Sequence, residues 1–194
     1  LATRSGGSSI FITLFLVSLF LYINSNEIFD FSLIIPLGIL YTIGLYDDIY
    51  QVDFKLKFIF QIIVAKILVD QGLLIDNLNG FFGYLEIPYM LAQFFTIFII
   101  VLIVNAVNFS DGIDGLAITE SIKGLLLIIF LSQSNLDFGL NYMFFIVIVA
   151  MLPLYIYNFR KNNKVFLGDS GSLFLGGIIS IGVINLCNNL NYDY

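Results

Sequence analysis

Apolar and polar positions alternate along this chain in long blocks rather than residue by residue. Seven apolar runs, 8–24, 31–46, 58–75, 88–107, 116–131, 142–157 and 172–187, are separated by short polar clusters. A helix needs about 20 apolar residues to cross the hydrocarbon of a bilayer, and a crossing strand would show alternation over about 10. The runs therefore predict an all-α polytopic membrane helix bundle of about seven transmembrane helices, forming a single domain over 1–194. Several runs are short, so their helices are expected to extend into the polar flanks.

Composition agrees with the pattern. The chain is 59% hydrophobic and 11% charged, with a mean hydropathy of +0.98, whereas soluble domains carry roughly a quarter charged residues. Net charge is −6, but the position of Lys and Arg, not their balance with acids, sets membrane orientation. If Arg4 is cytoplasmic, loop parity puts 47–57, 108–115 and 158–171 on the same side. With Arg4 these segments hold Lys55, Lys57, Arg160, Lys161 and Lys164, six of the eight basic residues, while the loops 24–30, 76–87 and 132–141 and the tail from 188 hold none. The expectation is a multi-pass protein of the inner (cytoplasmic) membrane, with its polar loops facing the cytoplasm.

The other two basic residues fall inside runs, where an ionisable side chain is expensive and is a functional candidate by default. Lys66 is expected to reach outward beside Asp70. Lys123 is open to either a structural or a functional role. The outer loop 76–88 reads as a hairpin on the membrane surface, and the single Cys187 as a small buried hydrophobe.

Three polar features share the cytoplasmic side. Asp47-Asp48 ends the second run, and the repulsion between its carboxylates invites a metal ion, a cationic partner or a raised pKa, unless it is simply a solvated helix end. The second feature is Asn105-Ala-Val-Asn108-Phe-Ser-Asp111-Gly112-Ile-Asp114-Gly115-Leu-Ala117, lying between long apolar runs. The third, Gly168-Asp169-Ser170-Gly171-Ser172, suits either an anion held by free N–H groups at a helix start or a plain turn capped by Asp169 or Ser170. Together they offer oxygen ligands beside lysines, with no histidine in the chain. That set matches a hard cation and phosphates rather than zinc or a redox metal, and points to a Mg²⁺-assisted phosphate site.

These residues also carry a resemblance. Asp47-Asp48 followed by Lys55-Leu-Lys57-Phe58 with Gln61, the Asn105–Ala117 run, and Phe166-x-Gly-Asp169-x-Gly-Ser172 resemble successive signatures of the polyprenyl-phosphate N-acetylhexosamine-1-phosphate transferases. Arg4-Ser-Gly6-Gly7 resembles a further family segment, so the likeness covers essentially the whole chain. The resemblance implies transfer of an N-acetylhexosamine 1-phosphate from a UDP-sugar to undecaprenyl phosphate, with release of UMP, at the start of a cell-envelope glycan. It implies Asp169 and Asn108 as ligands of Mg²⁺, with Mn²⁺ as the alternative ion. Asp47, Asp48, Asp111 and Asp114 would be catalytic; Lys55, Lys57, Asn105, Gly112 and Ser172 would bind substrate. The implied partners are undecaprenyl phosphate, a UDP-N-acetylhexosamine, the bilayer and a second copy in a homodimer, with no nucleic acid. Family members carry further spans and a His-rich loop, so the 194 residues are expected to be a partial chain, shortened at both ends. Two rival readings are an inactive remnant and an ion or proton transporter, the latter motivated by Lys66, Asp70 and Lys123.

Overall fold

The computed structural model describes residues 3–24, 30–78, 87–132, 138–160 and 164–189. Among these residues seven α-helices follow one another: α1 (Gly6–Ile23), α2 (Ile34–Tyr50), α3 (Phe54–Asp70), α4 (Tyr89–Ser110), α5 (Leu116–Leu131), α6 (Phe138–Asn158) and α7 (Gly168–Asn189). No strand longer than an isolated bridge occurs among the described residues. Five of the helices are long and apolar enough to cross a membrane. The second of these spans adds the 3-10 turn Phe31–Leu33 to α2; the other two helices, α3 with 17 residues and α5 with 16, are shorter than any of the five spans and carry the in-run charges. At 1.5 Å per residue they reach only about 25 Å, short of a hydrocarbon core about 30 Å thick.

The helices extend into the polar flanks for local reasons. α3 begins at Phe54 because an Asp53 carboxylate oxygen accepts the Lys55 N–H at 3.3 Å, an ordinary N-cap. α2 continues to Tyr50, which brings Asp47 and Asp48 into its last turns. Gln51, in the left-handed region at φ 54°, then stops the helix and donates its N–H to the Asp47 carbonyl at 2.9 Å. Only Gln51, Val52 and Asp53 separate α2 from α3, so the end of one helix faces the start of the next.

α7 is the centre of the bundle. Of its apolar window 72% is buried, against 28% for α1 and α4, and it packs on α1, α2, α4 and α5. Glycines permit the close approach. A Cβ on Gly7 would lie 2.2 Å from the Gly171 nitrogen, one on Gly44 2.4 Å from the Asp169 carbonyl oxygen, and one on Gly176 2.6 Å from the Val104 Cα. Small residues at helix crossings are how membrane bundles gain van der Waals contact where lipid competes equally for apolar surface. Phe174 of α7 is fully buried, in edge contact with Phe11, which stacks on Tyr41 at 4.2 Å. Two buried hydroxyls bond within their own helices: Ser18 donates to the Leu14 carbonyl and Ser180 to that of Gly176.

The outer faces are apolar too. Phe94, Phe98, Phe130 and Phe145 are all at least 60% exposed, which suits lipid and not water. Lys66 pairs with Asp70 four residues on, and Lys123 with Glu120, both at exposed positions. The in-run charges that could suggest ion transport therefore turn outward. Ile87 donates to the Asp76 carbonyl at 2.9 Å; the rest of the expected hairpin over 76–88, like Lys161, lies largely outside the described residues. Cys187 is half-buried against the core.

Candidate active site

The polar features anticipated on one side do gather at one end of the bundle. Arg4 precedes α1, Asp47 and Asp48 end α2, Lys57 begins α3, Asn108 and Asp111 end α4, Asp114 precedes α5, and Gly168–Ser172 opens α7. At the opposite end Gln71 donates to the Ser32 carbonyl and Asn188 to that of Leu74. The loop parity inferred from the runs is thus visible in the contacts.

Lys57 sits at the centre of this end. Its Nζ lies 2.9 Å from Asp47 Oδ2 and 2.9 Å from Asp169 Oδ2, joining α2, α3 and α7 through one cation. Its side chain is 17% exposed and that of Asp47 12%. The other Asp47 oxygen accepts the Val52 N–H, so the α2–α3 turn orients the carboxylate toward the lysine.

Asp48, adjacent in sequence, points elsewhere. Its two oxygens accept the Asp169 and Ser170 N–H groups, each at 3.0 Å, and its side chain is 4% exposed. Gly168 makes room: its φ is +77°, and a Cβ there would lie 2.7 Å from Asp48 Oδ2. Asp111 Oδ2 accepts the Gly168 N–H at 3.0 Å. Three successive N–H groups at the start of α7 are therefore taken by carboxylates from α2 and the end of α4. The sequence left open whether these groups are free for an anion or capped by Asp169 or Ser170; they are capped, by Asp48 and Asp111. The helix macrodipole favours negative charge at that position.

Asp111 carries the electrostatic cost. Burial, with Asp169 and Asp48 nearby, pushes its pKa up to about 7 against the opposing Gly168 hydrogen bond. Asn108 directs Nδ2 to Ser172 Oγ at 2.8 Å, tying α4 to α7 one turn deeper. Asn105 and Gln61 exchange amide hydrogen bonds, the shorter at 2.6 Å. Gln61 is 2% exposed and one turn beyond Lys57, so this pair fixes the register of α3 against α4. Asp114 is outside this group and pairs with Lys164 at an exposed position. Lys55 is exposed.

Asp169, the carboxylate held by Lys57, also lines a cleft of about 430 Å³ with Arg4, Asn108, Phe109, Asp111 and Phe166, with Gly112 and Gly168 at its wall. Of the residues singled out from the sequence, the structure brings Asp47, Asp48, Lys57, Asn108, Asp111, Asp169 and Ser172 into one connected network. Asn105 pairs with Gln61 apart from that network, Gly112 borders the cleft, and Asp114 and Lys55 stand apart. Two contributors were not named as site residues from the sequence, Arg4 and Gln61. The available signals were a guanidinium just before Gly6-Gly7 and a carboxamide inside an otherwise apolar run.

Fold and site together define a multi-pass helical membrane protein with a carboxylate–lysine centre and a polar cleft at one end of its bundle. Residues 30–187 match the family model described as Glycosyl transferase family 4, and the chain belongs to that family. It is 36% identical over 151 residues to a probable undecaprenyl-phosphate N-acetylglucosaminyl 1-phosphate transferase of Bacillus subtilis, covering 74% of this chain and 40% of that protein. It is 32% identical to the phospho-N-acetylmuramoyl-pentapeptide-transferases of Chlamydia felis and Listeria monocytogenes, covering 92% of this chain and 58% and 59% of theirs. The chain thus spans about half the length of these curated relatives.

Proposed function

We propose that this chain carries the reacting centre of a sugar-1-phosphate transferase that moves an N-acetylhexosamine 1-phosphate from a UDP-linked donor to undecaprenyl phosphate, releasing UMP and starting a cell-envelope glycan. The observation that carries the reading is Lys57 held between Asp47 and Asp169, the latter lining a polar cleft, in a chain whose relatives are named for this chemistry. In the step, an oxygen of the lipid phosphate attacks the phosphorus bonded to the sugar. A new P–O bond forms as the bond from that phosphorus to UMP breaks, and UMP leaves with its oxygen. Such transfers depend on positioning and on neutralising charge at the phosphoryl oxygens more than on covalent chemistry. Lys57 neutralises Asp47 and Asp169 and orients them. Asp47, locked by Lys57 and the Val52 N–H, holds that lysine in register with Asp169.

The donor set fits a magnesium ion. Burial, with the Asp169 and Asp48 carboxylates nearby, raises the Asp111 pKa; a cation would relieve the carboxylate repulsion, and the ligand atoms are oxygens. Among the described residues no three acidic or other metal-binding side chains form a cage; magnesium commonly takes one or two protein ligands and fills its shell with phosphates and water. Asp169 and Asn108 would hold it, Asn108 through the Oδ1 left when Nδ2 faces Ser172. Bound there, the ion would supply charge neutralisation on the diphosphate; Mn²⁺ is the alternative. The basic residues at this end, Arg4, Lys55, Lys57, Arg160 and Lys164, support a site facing the cytoplasm.

Membranes carrying the complete protein, incubated with undecaprenyl phosphate and either UDP-N-acetylglucosamine or the UDP-N-acetylmuramoyl-pentapeptide, test the reading. UMP release matched by a lipid-linked sugar diphosphate, dependent on Mg²⁺, is expected. No lipid product from any UDP-N-acetylhexosamine overturns it.

A further inference from the structure

Accepting the proposed reaction, an anionic diphosphate has to enter a cleft whose nearest titratable walls are Asp111 and Asp169. The start of α7 cannot cradle it, because the Gly168, Asp169 and Ser170 N–H groups are already bound by Asp111 and Asp48. Side-chain cations must serve instead, and most at this end are committed. Lys57 is shared by two carboxylates, Lys164 is paired with Asp114, and Arg160 lies over the Tyr157 ring at 4.2 Å. Among the described residues lining the cleft, Arg4 is the one cation. Its guanidinium is 60% exposed and reaches Asp48 only at 3.8 Å, a carboxylate whose oxygens already accept two backbone N–H groups.

The backbone holds Arg4 in place. Thr3 donates to the Lys164 carbonyl at 3.1 Å and accepts from Phe166 N–H at 2.8 Å; Gly6 and Gly7 donate to the carbonyls of Phe166 and Leu167 at 3.0 and 2.8 Å. This clip fastens the chain ahead of α1 along the segment entering α7. The glycines are required by it, since a Cβ on Gly6 would lie 2.7 Å from the Phe166 carbonyl oxygen. The backbone that carries this five-donor planar fork is thereby fixed at the edge of the cleft, and a guanidinium in that setting is suited to bidentate phosphate recognition.

We infer that Arg4 is a phosphate-binding residue of this site, positioned by the clip between residues 3–7 and 164–167. The phosphate belongs either to the nucleotide or to the polyprenyl lipid. The test measures equilibrium binding of UDP, uridine and farnesyl phosphate to the complete protein in nanodiscs, for wild type, Arg4→Ala and Arg4→Lys, alongside kcat and KM for the donor. Charge-assisted hydrogen bonds of this kind correspond to about ten- to hundred-fold in affinity. Arg4→Ala is expected to weaken UDP by that factor and leave uridine unchanged, with Arg4→Lys intermediate. Loss confined to farnesyl phosphate supports the inference with the lipid as the phosphate source. Unchanged affinity for both phosphates, with kcat alone reduced or a lowered melting temperature, overturns it, because Arg4 would then only steady Asp48. If wild type binds neither UDP nor farnesyl phosphate, the proposed reaction itself falls.

Discussion

The two acidic turns, Asp47–Asp48 at the end of α2 and Asp111–Asp114 at the end of α4, are assembled from the same parts. Each gives one carboxylate to the N–H groups that open α7, Asp48 and Asp111, and pairs the other with a lysine, Asp47 with Lys57 and Asp114 with Lys164. They differ in burial and sharing. Lys57 is 17% exposed and bridges a second carboxylate on α7, whereas the Asp114 side chain is 55% exposed with one partner. Similar ion pairs therefore carry different weight: attraction between charges grows as water is excluded, while an exposed pair is screened.

Breaking the shared pair gives the largest expected effect. Lys57→Ala leaves Asp47 and Asp169 facing each other without a cation, and sugar-phosphate transfer is expected to fall by about a thousand-fold, the scale of losing one preorganised charge contact in a site. Lys57→Arg is expected to rescue little, since the guanidinium fork does not reproduce a point charge between two carboxylates. Initial rates of UMP release check both.

Removing the buried cap comes next. Asp48→Ala strands the Asp169 and Ser170 N–H groups and is expected to cost about 1–3 kcal/mol, read as a lower melting temperature in detergent. Asp48→Asn, with a single acceptor oxygen, is expected to fall between Ala and wild type. Equal stability of all three would remove the cap from the fold.

Asp111 distinguishes the turns by pH. Its folded pKa of about 7 lies above the ordinary carboxylate value, so the folded state keeps a proton that the unfolded chain releases. Metal-free protein is thus most favoured, so far as this group goes, below about pH 4, and loses stability as pH rises to about 7. After allowing for solvent in the cleft the loss is about 1–2 kcal/mol. Asp111→Asn is expected to flatten that part of the stability–pH curve; an unchanged slope contradicts the assignment. The smallest effect belongs to the exposed pair. Asp114→Ala is expected to change stability by less than about 1 kcal/mol, checked by the same melting assay.

Much of this could be read from the residues. Long apolar blocks declare helices in lipid, and loop parity with basic residues declares which ends meet, because both depend on composition over many positions. The division of labour within each acidic turn could not be read, since neighbouring helical side chains differ by about 100° in direction and only packing decides which one meets α7. Nor could the occupation of the α7 N–H groups, which depends on Gly44 and Gly7 bringing α2 and α1 against that helix. Asn105 shows the same gap: its partner Gln61 lies 44 residues away, beyond any local pattern.

Asp169→Asn in the complete membrane protein tests the centre most directly, assayed for UMP release with undecaprenyl phosphate, a UDP-N-acetylhexosamine and Mg²⁺. Release is expected to fall to background while the variant keeps a wild-type melting temperature to within a few degrees. Undiminished release would contradict a reacting centre built on Lys57 and its two carboxylates.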